Sequence, residues 1–192
     1  TPSYWLLAAG IFLLGLSTNI ENFMPAFWQS RGLDPMRSSL IMSAYAAMAA
    51  GISILMGRVN EKLRGAGFVG ICCSLFILSL LVMAWTDAVS RLALLLLCCL
   101  PFAAGAKTAV ALVPPLVVAE SFGRREYAGL IGFFAAMLQL GVTASNFVIG
   151  PMLDAGAGYA VTLTLMGAVN AAGLGCILRA LAKKPACPQK NT

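Results

Sequence analysis

Apolar runs of similar length, set apart by short polar breaks, account for almost the whole chain. Charge-free stretches cover 38–57, 65–86, 127–153 and 155–178. Two more, 1–30 and 92–119, are each interrupted by a single charge, Glu21 in the first and Lys107 in the second. A helix needs about 20 apolar residues to cross the hydrocarbon of a bilayer, and only a helix or a closed barrel satisfies its own backbone there. The pattern therefore predicts six spanning helices, at about 3–29, 37–56, 66–86, 91–119, 127–150 and 159–181. The expected fold class is an all-α integral membrane protein, one six-helix bundle with a polar tail over 183–192. The turns are expected at 31–35, at the basic stretch 57–65, and at 120–126, with Gly150-Pro151 closing the fifth helix. Small residues four apart suggest close helix packing: Gly167, Ala171 and Gly175 on the sixth helix, Ala46 with Ala50 and Ala47 with Gly51 on the second.

Composition agrees with this pattern. The chain is 60% hydrophobic and 10% charged, with a mean hydropathy of +0.88. A water-soluble domain carries about 25% charged residues. The first run lacks a basic leading stretch and is too long for a signal peptide. With no initiator Met, the chain reads as a piece of something longer. Arg58, Lys62, Arg64, Arg124, Arg125, Arg179, Lys183, Lys184 and Lys190 fall on one side of the predicted topology, against Arg31, Arg37 and Arg91 on the other. The positive-inside rule makes the first side cytoplasmic, with both termini there, as in a plasma (inner) membrane protein. The net charge of +6 then belongs to lipid-facing loops and offers nothing for nucleic acid.

The polar residues inside the spans are the candidates for chemistry. Thr18, Glu21, Asn22, Pro25 and Gln29 share one face of an α-helix, which must look toward protein or a watery cavity. Pro25 cannot donate to the carbonyl of Glu21, which is expected to leave that acceptor free. Lys107 lies mid-helix among Ala103, Ala104, Thr108 and Ala111, where an ammonium is costly and an anion-binding role fits its charge. Gln139, Thr143 and Asn146 share a face of the fifth helix and suit either a solute or a neighbouring helix. Asn170 stands alone on the sixth and reads as structural. At 1.5 Å per residue, Glu21 lies about 7 Å outward of the midplane and Lys107 about 3 Å inward. That separation favours two stations along one pathway over an ion pair, though tilt and the lysine stem would close part of the gap. There is no His, no nucleophile motif and no phosphate loop, so no enzyme, metal or cofactor is expected. The neighbouring pairs Cys72–Cys73 and Cys98–Cys99 point about 100° apart and read as small apolar helix residues.

The stretch Ser121-Phe-Gly-Arg-Arg-Glu-Tyr-Ala-Gly-Leu-Ile-Gly132, followed by Gly150-Pro-Met-Leu-Asp154 and Gly158-Tyr159, resembles the major facilitator superfamily, in particular its monocarboxylate and oxalate–formate branch. The whole chain is similar to helices seven to twelve of such a transporter. The 57–65 stretch resembles a cytoplasmic-loop motif of the superfamily, with Glu61 where Asp is usual and Arg64 in place of a glycine. The resemblance implies a secondary transporter that works by alternating access, with a missing N-terminal six-helix half as partner. It implies that the helices bearing Glu21 and Lys107 line the cavity. Thr18, Asn22, Thr108, Gln139, Thr143 and Asn146 are then cavity candidates, and Gly57, Glu61, Lys62, Gly123, Arg124 and Arg125 belong to cytoplasmic gating loops. Oxalate-type relatives carry a basic residue on helix eleven, where this chain has Gln139 and Asn146. Monocarboxylate relatives carry charge on helix eight, where it has Ser43, Tyr45 and Ser53. The expected cargo is a small organic anion bound at Lys107, with Glu21 as a carboxylate that either couples protons or gates the path. The alternative is a non-transporting six-helix subunit that assembles through its small-residue faces.

Overall fold

The computed structural model describes residues 2–63, 65–85, 92–122 and 127–183. Among them, regular structure is entirely helical: α1 (Pro2–Thr18), a 3-10 helix (Asn19–Phe23), α2 (Met24–Ser30), α3 (Pro35–Leu63), α4 (Ala66–Trp85), α5 (Leu92–Phe122), α6 (Tyr127–Asp154) and α7 (Tyr159–Ala182). The first apolar run, Ser3–Ser30, is a single span interrupted by the 3-10 segment. Five helices are long and apolar enough to cross a membrane, and α5 makes a sixth if its two bent halves count as one span.

α1 occupies the centre of the bundle and packs against α6 and α7, while α4 packs against α5 and α7. Lipid offers helices no hydrophobic reward for associating, so close backbone approach and van der Waals contact must hold them together. Glycine supplies that approach at three crossings. A Cβ on Gly15 would run into the Leu138 carbonyl, and one on Gly141 into the Phe12 carbonyl, so α1 and α6 meet backbone to backbone. Gly10 and Gly173 bring α1 against α7 in the same way. On α5, a Cβ at Gly105 would collide with the backbone of Phe76 on α4. The ladders expected from spacing are not the crossings. Gly51, Gly167 and Gly175 have open space where a Cβ would go, and Ala46, Ala47, Ala50 and Ala171 are exposed. Four-residue spacing marks a face where helices can approach, but the crossing point depends on where the neighbour's ridges fall.

Helix ends also depart from the hydrophobic boundaries. Gly57, Glu61 and Lys62 lie in the last turns of α3 rather than in a loop. Nothing between Met56 and Leu63 breaks a helix, so α3 runs beyond its apolar stretch and the chain turns at Gly65, with φ +63°. Pro151, expected to close the fifth helix, lies inside α6. The actual stop is Gly156, at φ +82°. There Gly156 N–H bonds the Leu153 carbonyl and Ala157 N–H the Met152 carbonyl, the paired bonds of a glycine-terminated helix. Gly32, at φ +86°, ends α2 with the same pair of bonds, to Gln29 and Trp28. α5 bends by 45° between Pro101–Thr108 and Ala111–Ala119. Pro114 and Pro115 cause this, since neither can donate to a carbonyl one turn back, and their rings push against it.

α3 is the least covered helix. Only 11% of its most apolar stretch is buried within the chain, and Met36, Leu40, Ile54 and Leu55 are exposed on it. Gly123, Arg124, Arg125, Arg64, Arg91 and the tail from Lys184 onward lie outside the described residues, as do the side chains of Glu61, Lys62, Cys98 and Cys99.

Candidate functional site

The site begins with a break in the first span. Pro25, early in α2, leaves the carbonyl of Glu21 without its usual donor one full α-turn ahead. The chain responds by tightening. Asn19–Phe23 forms a 3-10 turn, and the N–H of Met24 bonds the Glu21 carbonyl instead. That carbonyl is therefore not a free acceptor. The tighter turn also re-aims side chains, because residues three apart eclipse in a 3-10 helix. Asn19 and Asn22 now stand on one side, joined by a 2.6 Å hydrogen bond from Asn22 Nδ2 to Asn19 Oδ1.

Asn19 reaches onward to α6. Its Nδ2 donates to Ser145 Oγ at 2.5 Å and to Asn146 Oδ1 at 2.8 Å. Ser145 in turn donates to the carbonyl of Val142 at 2.8 Å. Two residues before Asn19, Ser17 Oγ accepts from Asn170 of α7 at 2.8 Å. Asn170 thus ties α7 to α1, a structural role as its sequence context predicts.

Glu21 points the other way, toward α5 and α3. Lys107 Nζ meets its Oε1 at 2.6 Å, and the Tyr45 hydroxyl donates to its Oε2 at 3.0 Å. The expected separation into two stations is overturned: Glu21 and Lys107 are an ion pair. α5 extends to Phe122, which shifts its centre toward Lys107 and removes most of its estimated inward offset. The lysine stem and the glutamate side chain together span the remaining depth. The crossing of Gly105 on Phe76, half a turn from Lys107, sets where that stem starts. Ala103, Ala104 and Ala106 around it are buried.

The pair is not sealed. The Lys107 side chain is 44% exposed and that of Glu21 25%, and both face a cleft of about 210 Å³ lined also by Thr18, Asn19, Asn22, Gln139 and Val142. Of the sequence candidates, Lys107, Glu21, Asn22, Thr18 and Gln139 are brought together there. Thr18 is 4% exposed and spends its hydroxyl on the Gly15 carbonyl. Thr108 is not in the lining; it is fully buried, with its hydroxyl oxygen unpartnered. Thr143 lies on the exposed face of α6. Asn146 is engaged by Asn19. Spacing alone missed Asn19 and Tyr45. Tyr45 has a signal in hindsight, a phenol in an otherwise apolar, small-residue stretch of α3. Asn19 has a weaker one, since it precedes Asn22 by three residues and so flanks the polar face.

Charge, hydrogen bonding and access give this cleft a defined capacity. It presents one ammonium with one internal counter-ion, and a rim of neutral amides and hydroxyls. Glu21 and Lys107 are the charged residues among those lining it. A family model described as Major Facilitator Superfamily matches residues 4–192. No curated protein and no solved structure matches the chain.

Proposed function

The chain belongs to the major facilitator superfamily, a family of secondary transporters, and from that premise we propose that it moves a small organic anion by alternating access, with Lys107 as the anion-binding charge. The observation that carries this reading is the 2.6 Å pair of Lys107 with Glu21 in the wall of an accessible cleft. Glu21 occupies the position that a substrate carboxylate would take. An incoming anion therefore competes with it for the ammonium, while Asn22 and Gln139 offer neutral donors to the rest of the molecule.

Charge balance indicates how the exchange proceeds. If Glu21 takes a proton as the anion arrives, Lys107 passes from one carboxylate to the other and the site stays neutral. One monoanion then travels with one proton. Tyr45 keeps a hydrogen bond to Glu21 in the resting pair. For alternating access this six-helix unit rocks against a second one, and the exposed lengths of α3 and α6 provide faces for it. The membrane is the plasma (inner) membrane, with the Arg58 and Arg179 ends of the helices toward the cytoplasm.

The test is uptake into proteoliposomes by the full protein. Lys107→Met should insert normally and reduce anion uptake to background; transport at the wild-type rate would remove Lys107 from the anion site. Glu21→Gln should abolish uptake driven by a pH gradient while sparing anion exchange. Equal loss of both would end the coupling role.

A further inference from the structure

Tyr45 belongs to two environments at once. Its hydroxyl is bound to Glu21 Oε2 at 3.0 Å, on the wall of the polar cleft. Its ring packs on Phe102 with centroids 5.4 Å apart and closes one side of an apolar slot lined by Met24, Trp28, Met42, Met83 and Phe102. The slot holds only about 10 Å³, at the lower limit for a single water, and its walls give a water nothing to bond. It is a narrow, largely apolar space that meets the charged site through Tyr45.

We propose that this slot is a second part of the binding site, gated by Tyr45, and that it receives the apolar body of an amphipathic monoanion whose charge rests on Lys107. The inference rests on the anion reading given above. Three features of the slot and its surroundings support it. Three of the slot's walls are methionines, unbranched side chains that repack easily around a guest. Tyr45 is tethered by the same carboxylate that an anion must displace, so movement of Glu21 off Lys107 takes the tether with it. And the polar cleft offers an extended ligand no other apolar wall but Val142. A compact dianion would use none of these features, and it would face one ammonium with two charges.

The experiment is a binding series on the full protein in proteoliposomes, using straight-chain carboxylates from acetate to octanoate and the matching primary amides. Protein-free liposomes give the partition background. Carboxylate affinity should rise about fourfold per added methylene and then level off when the slot is full. Met42→Trp, which fills the slot, should flatten the rise. Met83→Ala, which enlarges it, should move the plateau to a longer chain. Affinity that does not depend on length in the wild type, or a rise that survives unchanged in both variants, overturns the slot. Carboxylates that outbind their amides without any dependence on length remove the slot and leave the anion site standing. Equal binding by the amides overturns the anion reading, and this inference with it.

Discussion

Glu21 has both carboxylate oxygens engaged, one by Lys107 and one by Tyr45, so the two halves of the ion pair are not equivalent to remove. Lys107→Met leaves a carboxylate that is 25% exposed and holds the Tyr45 hydroxyl without its counter-ion. Glu21→Gln leaves an ammonium that is already 44% exposed to the cleft. Truncating one member of a partly buried pair costs more than removing both. The double variant Lys107→Met/Glu21→Gln is therefore expected to be more thermostable than Lys107→Met alone, by about 1 kcal/mol or more, read from melting in detergent. A double variant no more stable than the single would mean the pair is solvated and adds no strain when broken. Asn19 is the other residue whose loss should register, since it bonds Asn22, Ser145 and Asn146. Hydrogen bonds between membrane helices average about 0.6 kcal/mol each, so Asn19→Ala should cost about 1–2 kcal/mol in the same melt. Glu21 and Lys107 were legible in the sequence because a charge in a long apolar run has few innocent explanations. Their pairing was not, because depth along a straight α-helix takes no account of side-chain length or of where the neighbour's centre falls. Asn19 was overlooked for a different reason: as the i−3 neighbour of Asn22 it flanks the polar face, but its partners Ser145 and Asn146 lie on a helix that no spacing rule connects to it.

At the level of elements, glycine divides into two kinds that composition cannot separate. Gly15 and Gly141 sit where α1 and α6 press backbone on backbone. Gly167 is buried yet faces open space where a side chain would begin. Gly15→Ala must push α6 away or bend α1, and overpacking of this kind costs about 1–3 kcal/mol. Because Asn19 reaches Ser145 and Asn146 from the same interface, that push should also open the cleft's amide rim. Gly167→Ala should stay within about 0.5 kcal/mol of wild type. Comparing the melting temperatures and purified yields of the two variants checks this, and a Gly15→Ala protein as stable as Gly167→Ala would show that the close crossing is not what holds α1 to α6. Element number and type could be read from runs of apolar residues, because a bilayer imposes length. Element ends could not, since α3 carries on through Arg58 to Leu63, beyond its charge-free stretch, and α6 stops at a glycine rather than at its proline.

For the whole molecule the decisive element is α5. Five helices qualify as spans on their own, and the sixth depends on treating the two bent halves of α5 as one crossing. The choice fixes which face every later segment occupies. Between Arg58 and Arg179 the chain runs through α4, α5, α6 and α7. If α5 crosses, the number of passages is even and the two arginines share a face. If α5 enters and returns on one side, they lie on opposite faces, and the cluster of basic residues that orients the protein is split. Lys107 itself would change meaning, because a re-entrant segment would hold it near one surface rather than midway along a pathway. The ion pair argues for a full crossing. Glu21 lies well within a span that starts at Ser3 and ends at Ser30, and α5 has more than a full turn of chain on either side of Lys107. We therefore expect single cysteines placed at Arg58 and at Arg179, in a background with the native cysteines replaced by serine or alanine, to show the same accessibility to an impermeant maleimide. Cysteines at Gln29 and Asp34 should show the opposite. By the positive-inside rule, the Arg58 and Arg179 sites should be protected in intact cells and become labelled only after permeabilisation. Opposite labelling at Arg58 and Arg179 would make α5 re-entrant and leave five crossings instead of six.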